Sequence, residues 1–118
     1  MQANVRGGSN GSAMFIAIYR WRVKPGLEDA FRRAWRNRTE KIRTIRGSHG
    51  SRLGRESDGT LCAIALWPSR EAWEATKPLL PDDDADAKTF EDAIDERLPT
   101  LTMDTLDDLW SLPQNLAF

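Results

Sequence analysis

Two side chains in the sequence are of types that could carry hydrogen-bonding and proton-transfer chemistry, Tyr19 and His49. A buried tyrosine hydroxyl can donate a hydrogen bond to an oxygen of a bound molecule. His49 is the only histidine, and histidine is the residue type that most often serves as a general acid or base. It sits in "GSHGS", which is also compatible with an ordinary loop histidine in water. Both interpretations stay open.

A pocket wall can be assembled from two apolar segments, "MFIAIYRWRV" at 14–23 and "TLCAIALW" at 60–67. Side chains alternate along a strand, so Tyr19 and Trp21 share a face of the first strand with Ala17. In the 60–67 strand, Ala63 and Ala65 share a face with Trp67. If these faces coincide, alanines between aromatics leave room for a flat aromatic ligand. The alternative is that the aromatic residues fill that space as ordinary core. The predicted lining is Trp21, Phe31, Trp35, Ala63 and Ala65.

The periodicity of the chain indicates which elements would position these residues. It predicts a strand at 14–23, an amphipathic helix from Leu27 to Ile45, strands at 51–56 and 60–67, a short helix after Ser69, a helix at 87–98 and a strand at 100–109. The order is β-α-β-β-α-β, with a pair of helices before the last strand. This predicts an α+β, ferredoxin-like antiparallel sheet with helices on one face.

The chain of 118 residues fits one domain, predicted at 14–109, between a flexible arm at 1–13 and a tail at 110–118. Residues 1–58 hold 13 Lys/Arg against 5 Asp/Glu, whereas residues 59–118 hold 4 against 13. We expect complementary charged faces and no nucleic-acid partner, because the acidic half would repel phosphate.

No apolar run reaches the length of a membrane helix, and a single cysteine, Cys62, predicts a cytoplasmic protein.

The second face of the predicted sheet would expose a large apolar patch. Its residues are Ile16, Ile18, Cys62, Ile64 and Leu66. Such a patch is unfavourable in water, so we expect a second copy of the chain to cover it in a homodimer.

No metal site and no phosphate loop are expected from the residue types. One cysteine and one histidine are too few for the usual zinc or iron sites. The acidic run "DDDADA" lacks the glycine and glutamate of a calcium loop, and "GGSNGS" neither follows a strand nor opens a helix as a phosphate loop would.

Several of these segments together resemble one known family. They are the "V-x-PG" turn after the first strand, a helix carrying "F..AW", the segment "SRLGRE", and "LWPSREAW" from the third strand into a helix. The pattern is similar to that of the antibiotic biosynthesis monooxygenase family, small dimeric α+β barrel proteins. The similarity runs from about Met14 to Thr76, and more loosely through the rest of the fold.

The resemblance implies a chemistry. Members include cofactor-independent oxygenases that convert polycyclic phenols to quinones, and haem-degrading enzymes. Trp67 matches a tryptophan of the haem degraders, but Tyr19 stands where they have asparagine, and no histidine follows His49; haem cleavage of that kind is therefore not expected. The resemblance implies a monooxygenase that needs no cofactor and oxidises a small phenolic or polyketide-like aromatic with dioxygen, with Tyr19, His49 and Trp67 as catalytic residues. The alternative is a non-catalytic binding or dimerisation module.

Overall fold

The computed structural model describes residues 14–76 and 84–111, which form a four-stranded antiparallel sheet and three helices. In chain order the elements are β1 (Phe15–Val23), α1 (Glu28–Arg46), β2 (Ser51–Arg55), β3 (Leu61–Trp67), α2 (Arg70–Glu74), α3 (Ala85–Ala93) and β4 (Ile94–Asp104). The strands lie in the order β2-β3-β1-β4. This arrangement confirms the predicted ferredoxin-like fold. The arm at 1–13 and most of the tail lie outside the described residues.

Local sequence signals account for several of the boundaries. Gly26 and Gly47 have φ angles of 79° and 80°, a left-handed conformation that glycine adopts without a steric penalty; they form the turn before α1 and its end. Ser69 caps α2 by accepting a hydrogen bond from the Ala72 N–H, as predicted. Asp84 caps α3 in the same way.

The boundary between α3 and β4 differs from the prediction. The helix predicted at 87–98 ends at Ala93, and the last strand begins at Ile94 rather than at residue 100. The helical spacing of Phe90, Ala93 and Leu98 suggested a longer helix. From Ile94 onward, however, the backbone pairs with β1, and these sheet hydrogen bonds outweigh the local helical pattern. β4 is an edge strand, which tolerates Pro99.

The register of β1 and β3 places the predicted pocket residues on one face. Ala17 is opposite Ala65, and Tyr19 is opposite Ala63, in adjacent antiparallel strands. Residues opposite each other project to the same side of a sheet. Helices α1 and α3 cover this side, since Phe31 and Phe90 pack with Trp21 there. The condition that the two alanine-containing faces coincide is therefore met.

Two clusters of buried side chains divide this helix-covered face. We call the first the packed half; it consists of Trp21, Phe31, Ala34, Leu61, Ala63, Phe90 and Ala93. Its three aromatic rings lie with centroids 4.7 to 5.5 Å apart, which is direct contact. We call the second the open half; its buried residues are Phe15, Ala17, Ala65 and Trp67.

The other face of the sheet carries apolar side chains that the chain leaves in contact with water. Ile64, Leu101 and Met103 are 37%, 54% and 41% exposed, while Cys62 and Leu66 are half-buried. Within this chain, strand β3 is fully buried only on the helix-covered face, because none of the described helices packs on the other side.

Candidate functional site

A cavity of about 310 Å³ lies between the sheet and the helices, where the open half meets the packed half. Ala65 and Trp67 of β3 and Tyr19 of β1 contribute to its sheet side. Residues of α1 form much of the opposite wall, and Trp21 and Phe90 line it from the packed half. The small side chain of Ala65 leaves space between the larger aromatics. The volume is at the lower end for small-molecule sites, and the aromatic walls suit a flat ligand.

Tyr19 is held in a defined orientation by a residue from α2. The indole N–H of Trp73 donates a hydrogen bond of 2.8 Å to the Tyr19 hydroxyl oxygen. Because the oxygen already accepts this bond, the hydroxyl proton of Tyr19 is available for an acceptor in the cavity. Burial raises the pKa of Tyr19 above its ordinary value of 10.0, and the bond from Trp73 lowers it by a smaller amount. Tyr19 is therefore a neutral hydrogen-bond donor at physiological pH.

Trp67 brings a second donor to the same cavity. Its side chain is only 3% exposed, and its indole nitrogen has no hydrogen-bond partner among the described residues. A buried N–H without an acceptor costs about 1–3 kcal/mol. The nitrogen is enclosed, although other atoms of Trp67 line the cavity. The site thus combines apolar walls and the Tyr19 hydroxyl with an unsatisfied indole N–H in its wall.

Most of the sequence-predicted site residues meet at this cavity. Tyr19, Trp21, Trp35, Ala65 and Trp67 all line it. Phe31 and Ala63 do not; they belong to the packed half, where Phe31 is fully buried between Trp21 and Phe90. For these two residues the structure favours the core interpretation over the pocket lining.

His49 is not brought together with Tyr19 and Trp67. It is exposed, and it lines a different hollow of about 480 Å³ together with Ile16, Ile64 and Trp110. Its backbone N–H donates to the carbonyl of Leu66, which continues the β2–β3 pairing by one residue. This hollow lies on the sheet face opposite the helices, because Ile16 and Ile64 alternate with Ala17 and Ala65 along their strands.

Two residues of the site were not identified from the sequence. Trp73, in the quoted segment "PSREAW", follows the α2 cap by four residues, but no spacing rule connects it with Tyr19 on a strand 54 positions earlier. Arg38 lies at helical spacing with Trp35 and Ile42 of α1, and the structure places it on the cavity wall. That spacing was the available signal, since a charged residue among apolar ones indicates a special environment.

A family model described as antibiotic biosynthesis monooxygenase matches residues 14–77, more than half of the chain. The chain belongs to the antibiotic biosynthesis monooxygenase family. The matched segment contains Tyr19, Arg38, Trp67 and Trp73. The cavity is completed from outside it, by Phe90, Glu91, Arg97, Leu98 and Thr100.

Solved structures share the fold at low sequence identity. SnoaB, a cofactor-independent oxygenase from Streptomyces nogalater, is similar with a TM-score of 0.66 and 15% identity, over 83% of this chain and 98% of that one. A proposed antibiotic biosynthesis monooxygenase from Caulobacter crescentus has a TM-score of 0.66 and 14% identity, over 80% and 92% of the two chains. A proposed family member from Bordetella bronchiseptica has a TM-score of 0.64 and 19% identity, over 83% and 100%. No curated protein sequence matches the chain.

Residues 14–76 and 84–111 contain neither a membrane-spanning helix nor a cluster of metal-binding side chains. None of the helices there has both the length and the apolar character needed to cross a membrane. No three His, Cys, Asp or Glu side chains in these ranges come close enough together to share a metal ion.

Proposed function

We propose that this member of the antibiotic biosynthesis monooxygenase family is a cofactor-independent monooxygenase that oxidises a small phenolic or polyketide-like aromatic with dioxygen. The observation that carries the proposal is the pairing of Tyr19 and Trp67 in one aromatic-walled cavity. Tyr19 offers an oriented hydroxyl, and Trp67 has a buried N–H without an acceptor among the described residues. Family membership makes oxidation the reaction to test first, and the fold similarity to SnoaB supports the absence of a cofactor.

The reaction needs no external reductant. A phenol and dioxygen give a quinone and water: one oxygen atom enters the ring, the other leaves as water, and the substrate supplies all the electrons. The first requirement is loss of the phenol proton, because the phenolate is electron-rich enough to react with dioxygen. Donors aimed at the substrate oxygen favour the phenolate, and a cavity that excludes water strengthens these hydrogen bonds.

Each residue has a distinct role in this proposal. Tyr19 donates to the substrate oxygen, and Trp73 is a positioning residue that holds the Tyr19 hydroxyl. Trp67 donates to the oxygen that develops negative charge after dioxygen adds. Trp21 and Trp35 lie along the walls beside the substrate ring. We assign no step to His49, since it lines the opposite face, and the phenol proton passes to water at the cavity mouth.

We also propose that the molecule is a cytoplasmic homodimer. Ile64, Leu101 and Met103 leave an apolar face that a second copy would cover by packing sheet against sheet. The single free thiol, Cys62, is consistent with a reducing compartment. Light scattering at micromolar concentration should give about twice the chain mass of 13.4 kDa. A stable single subunit would contradict the dimer.

The experiment that tests the activity is oxygen uptake with a panel of hydroxylated aromatics, without added flavin or metal. We expect uptake with at least one fused-ring phenol, formation of one quinone per dioxygen consumed, and no effect of a chelator. With labelled dioxygen, one labelled atom should appear in the quinone. Saturable binding of the same compounds without uptake would instead identify a non-catalytic binding module.

A further inference from the structure

Three arginines contribute to the cavity wall, and they differ in whether they have a carboxylate partner. Arg20 donates two hydrogen bonds, of 2.6 and 2.7 Å, to the carboxylate of Glu56. Arg97 forms an ion pair with Glu91. Arg38 has no ion pair and no hydrogen bond with any described residue, and its guanidinium carbon lies 5.4 Å from the centre of the Phe90 ring.

The environment of Arg38 makes this difference significant. The residue as a whole is half-buried, but its Nη1 atom is enclosed and has no acceptor within residues 14–76 and 84–111. Leaving a charged donor unsatisfied away from water is more costly than leaving a neutral one. Contact with an aromatic face returns only part of the lost hydration. Proteins avoid such an arrangement unless another group completes it.

We infer that Arg38 binds the carboxylate of an aromatic acid that occupies this cavity. A guanidinium presents parallel N–H groups whose spacing fits the two oxygens of a carboxylate. The cavity supplies the rest of the recognition: Trp35 and Phe90 contact the flat ring, and Trp67 offers a further donor. The inference deepens the proposed function, on which it rests for treating the cavity as the substrate site. It makes the substrate a phenol that also carries an acid group.

The nearby charges are consistent with this assignment. Glu91 would repel an anion if it were free, but it is engaged by Arg97. Lys41, one turn further along α1, pairs with Asp84 and Asp86, so it does not compete for the ligand. Within the described part of the chain, Arg38 is thus the cavity arginine left with its charge unpaired.

The test uses three compounds substituted at the same ring position: naphthoate, its uncharged amide naphthamide, and naphthol. Binding to the full chain is measured by calorimetry, which does not depend on turnover. We expect naphthoate to bind about tenfold or more tightly than naphthamide, as a charge-assisted hydrogen bond to a carboxylate implies. Naphthol should resemble the amide.

Variants of the chain then test whether Arg38 causes the preference for naphthoate over naphthamide. Arg38→Gln should weaken naphthoate binding far more than naphthamide binding, and so remove most of the preference for the acid. Arg38→Lys, which keeps the charge but loses the paired geometry, should retain part of it. Arg33→Gln is the matched control, because Arg33 is exposed on the same helix and does not line the cavity. Circular dichroism confirms that each variant is folded.

Equal affinity for acid and amide in the wild type, or a preference that survives Arg38→Gln, would overturn the inference. Absence of binding by all three compounds would also count against it. A preference that depends on Arg38, found in a protein that shows no oxygen uptake, would support the anion site and contradict the oxygenase. Oxygen uptake without any preference for the acid would support the oxygenase and contradict the anion site.

Discussion

The two halves of the helix-covered face are built from the same strands and yet differ in how completely they are filled. On β3, Ala63 and Ala65 are two positions apart and project to the same side. Above Ala63 the aromatic rings of the packed half close over the sheet, whereas Ala65 faces a cavity. The comparison shows that alanines in a strand do not by themselves predict a pocket. A pocket forms beside an alanine only where no aromatic residue from a helix occupies the space that the alanine leaves.

The largest effect should come from truncating the centre of the packed half. Phe31→Ala removes a fully buried ring that contacts Trp21 and Phe90, so we expect a loss of about 3–5 kcal/mol in the free energy of unfolding. The measurement is denaturant unfolding followed by circular dichroism. Ile42→Ala on the cavity wall is the comparison, and it should cost less than half as much because Ile42 is only half-buried. Equal losses would mean that the two halves are packed alike.

Enlarging the two alanines gives a sharper test of the same difference. Ala63→Leu forces extra atoms into filled space and should destabilise the protein by about 1–3 kcal/mol. Ala65→Leu extends into the cavity and should cost about 1 kcal/mol or less, because the space there is unoccupied. Thermal unfolding measures both changes. Ala65→Leu should also weaken binding of aromatic ligands, since it reduces the cavity volume. The reverse order of stabilities would exclude an open cavity at Ala65.

A smaller effect concerns the titration of Tyr19, the only tyrosine in the chain. Burial raises its pKa, so ultraviolet absorbance should give a titration midpoint above 10.0 in the folded protein. Trp73→Phe removes the hydrogen bond that favours the phenolate, so the pKa should rise further. Trp110→Phe, at an exposed site, is the control and should leave the midpoint unchanged.

This pKa difference also determines how stability changes with pH. In the unfolded chain Tyr19 loses its proton near its ordinary pKa of 10.0, whereas in the folded chain it keeps the proton to higher pH. The contribution of Tyr19 to the free energy of unfolding is therefore fully present below pH 10.0. It is lost as the pH rises through the pKa of Tyr19 in the folded protein. A titration midpoint at or below 10.0 would contradict the buried position of the hydroxyl.

Much of the sheet could be predicted from the sequence because strand alternation is a local property. It placed Ala17, Tyr19 and Trp21 on one face of β1, and the helical spacing of apolar residues placed the first helix to within one residue at each end. The end of α3 was wrong because the choice between helix and strand at Ile94 depends on pairing with β1. That pairing joins residues about 70 positions apart, and no local pattern contains it.

The site was less predictable than the sheet for the same reason. Tyr19 and Trp67 come from strands whose alternation is visible, but the hydrogen bond from Trp73 and the position of Arg38 depend on how two helices dock. His49 was chosen by residue type, and type does not indicate which face of the sheet a loop follows. The structure separates His49 from Tyr19 by placing it beside Ile16 and Ile64.

The most direct test of the account is the rate of oxygen uptake in Tyr19→Phe, with a substrate that the wild-type protein oxidises. The substitution removes one hydroxyl group and keeps the ring, so the protein should remain folded, with a stability change of about 1 kcal/mol. If Tyr19 stabilises the substrate oxyanion, kcat should fall by about a hundredfold or more. A rate within about threefold of the wild-type value, well below the loss expected for a donor of this kind, would place the oxidation outside this cavity.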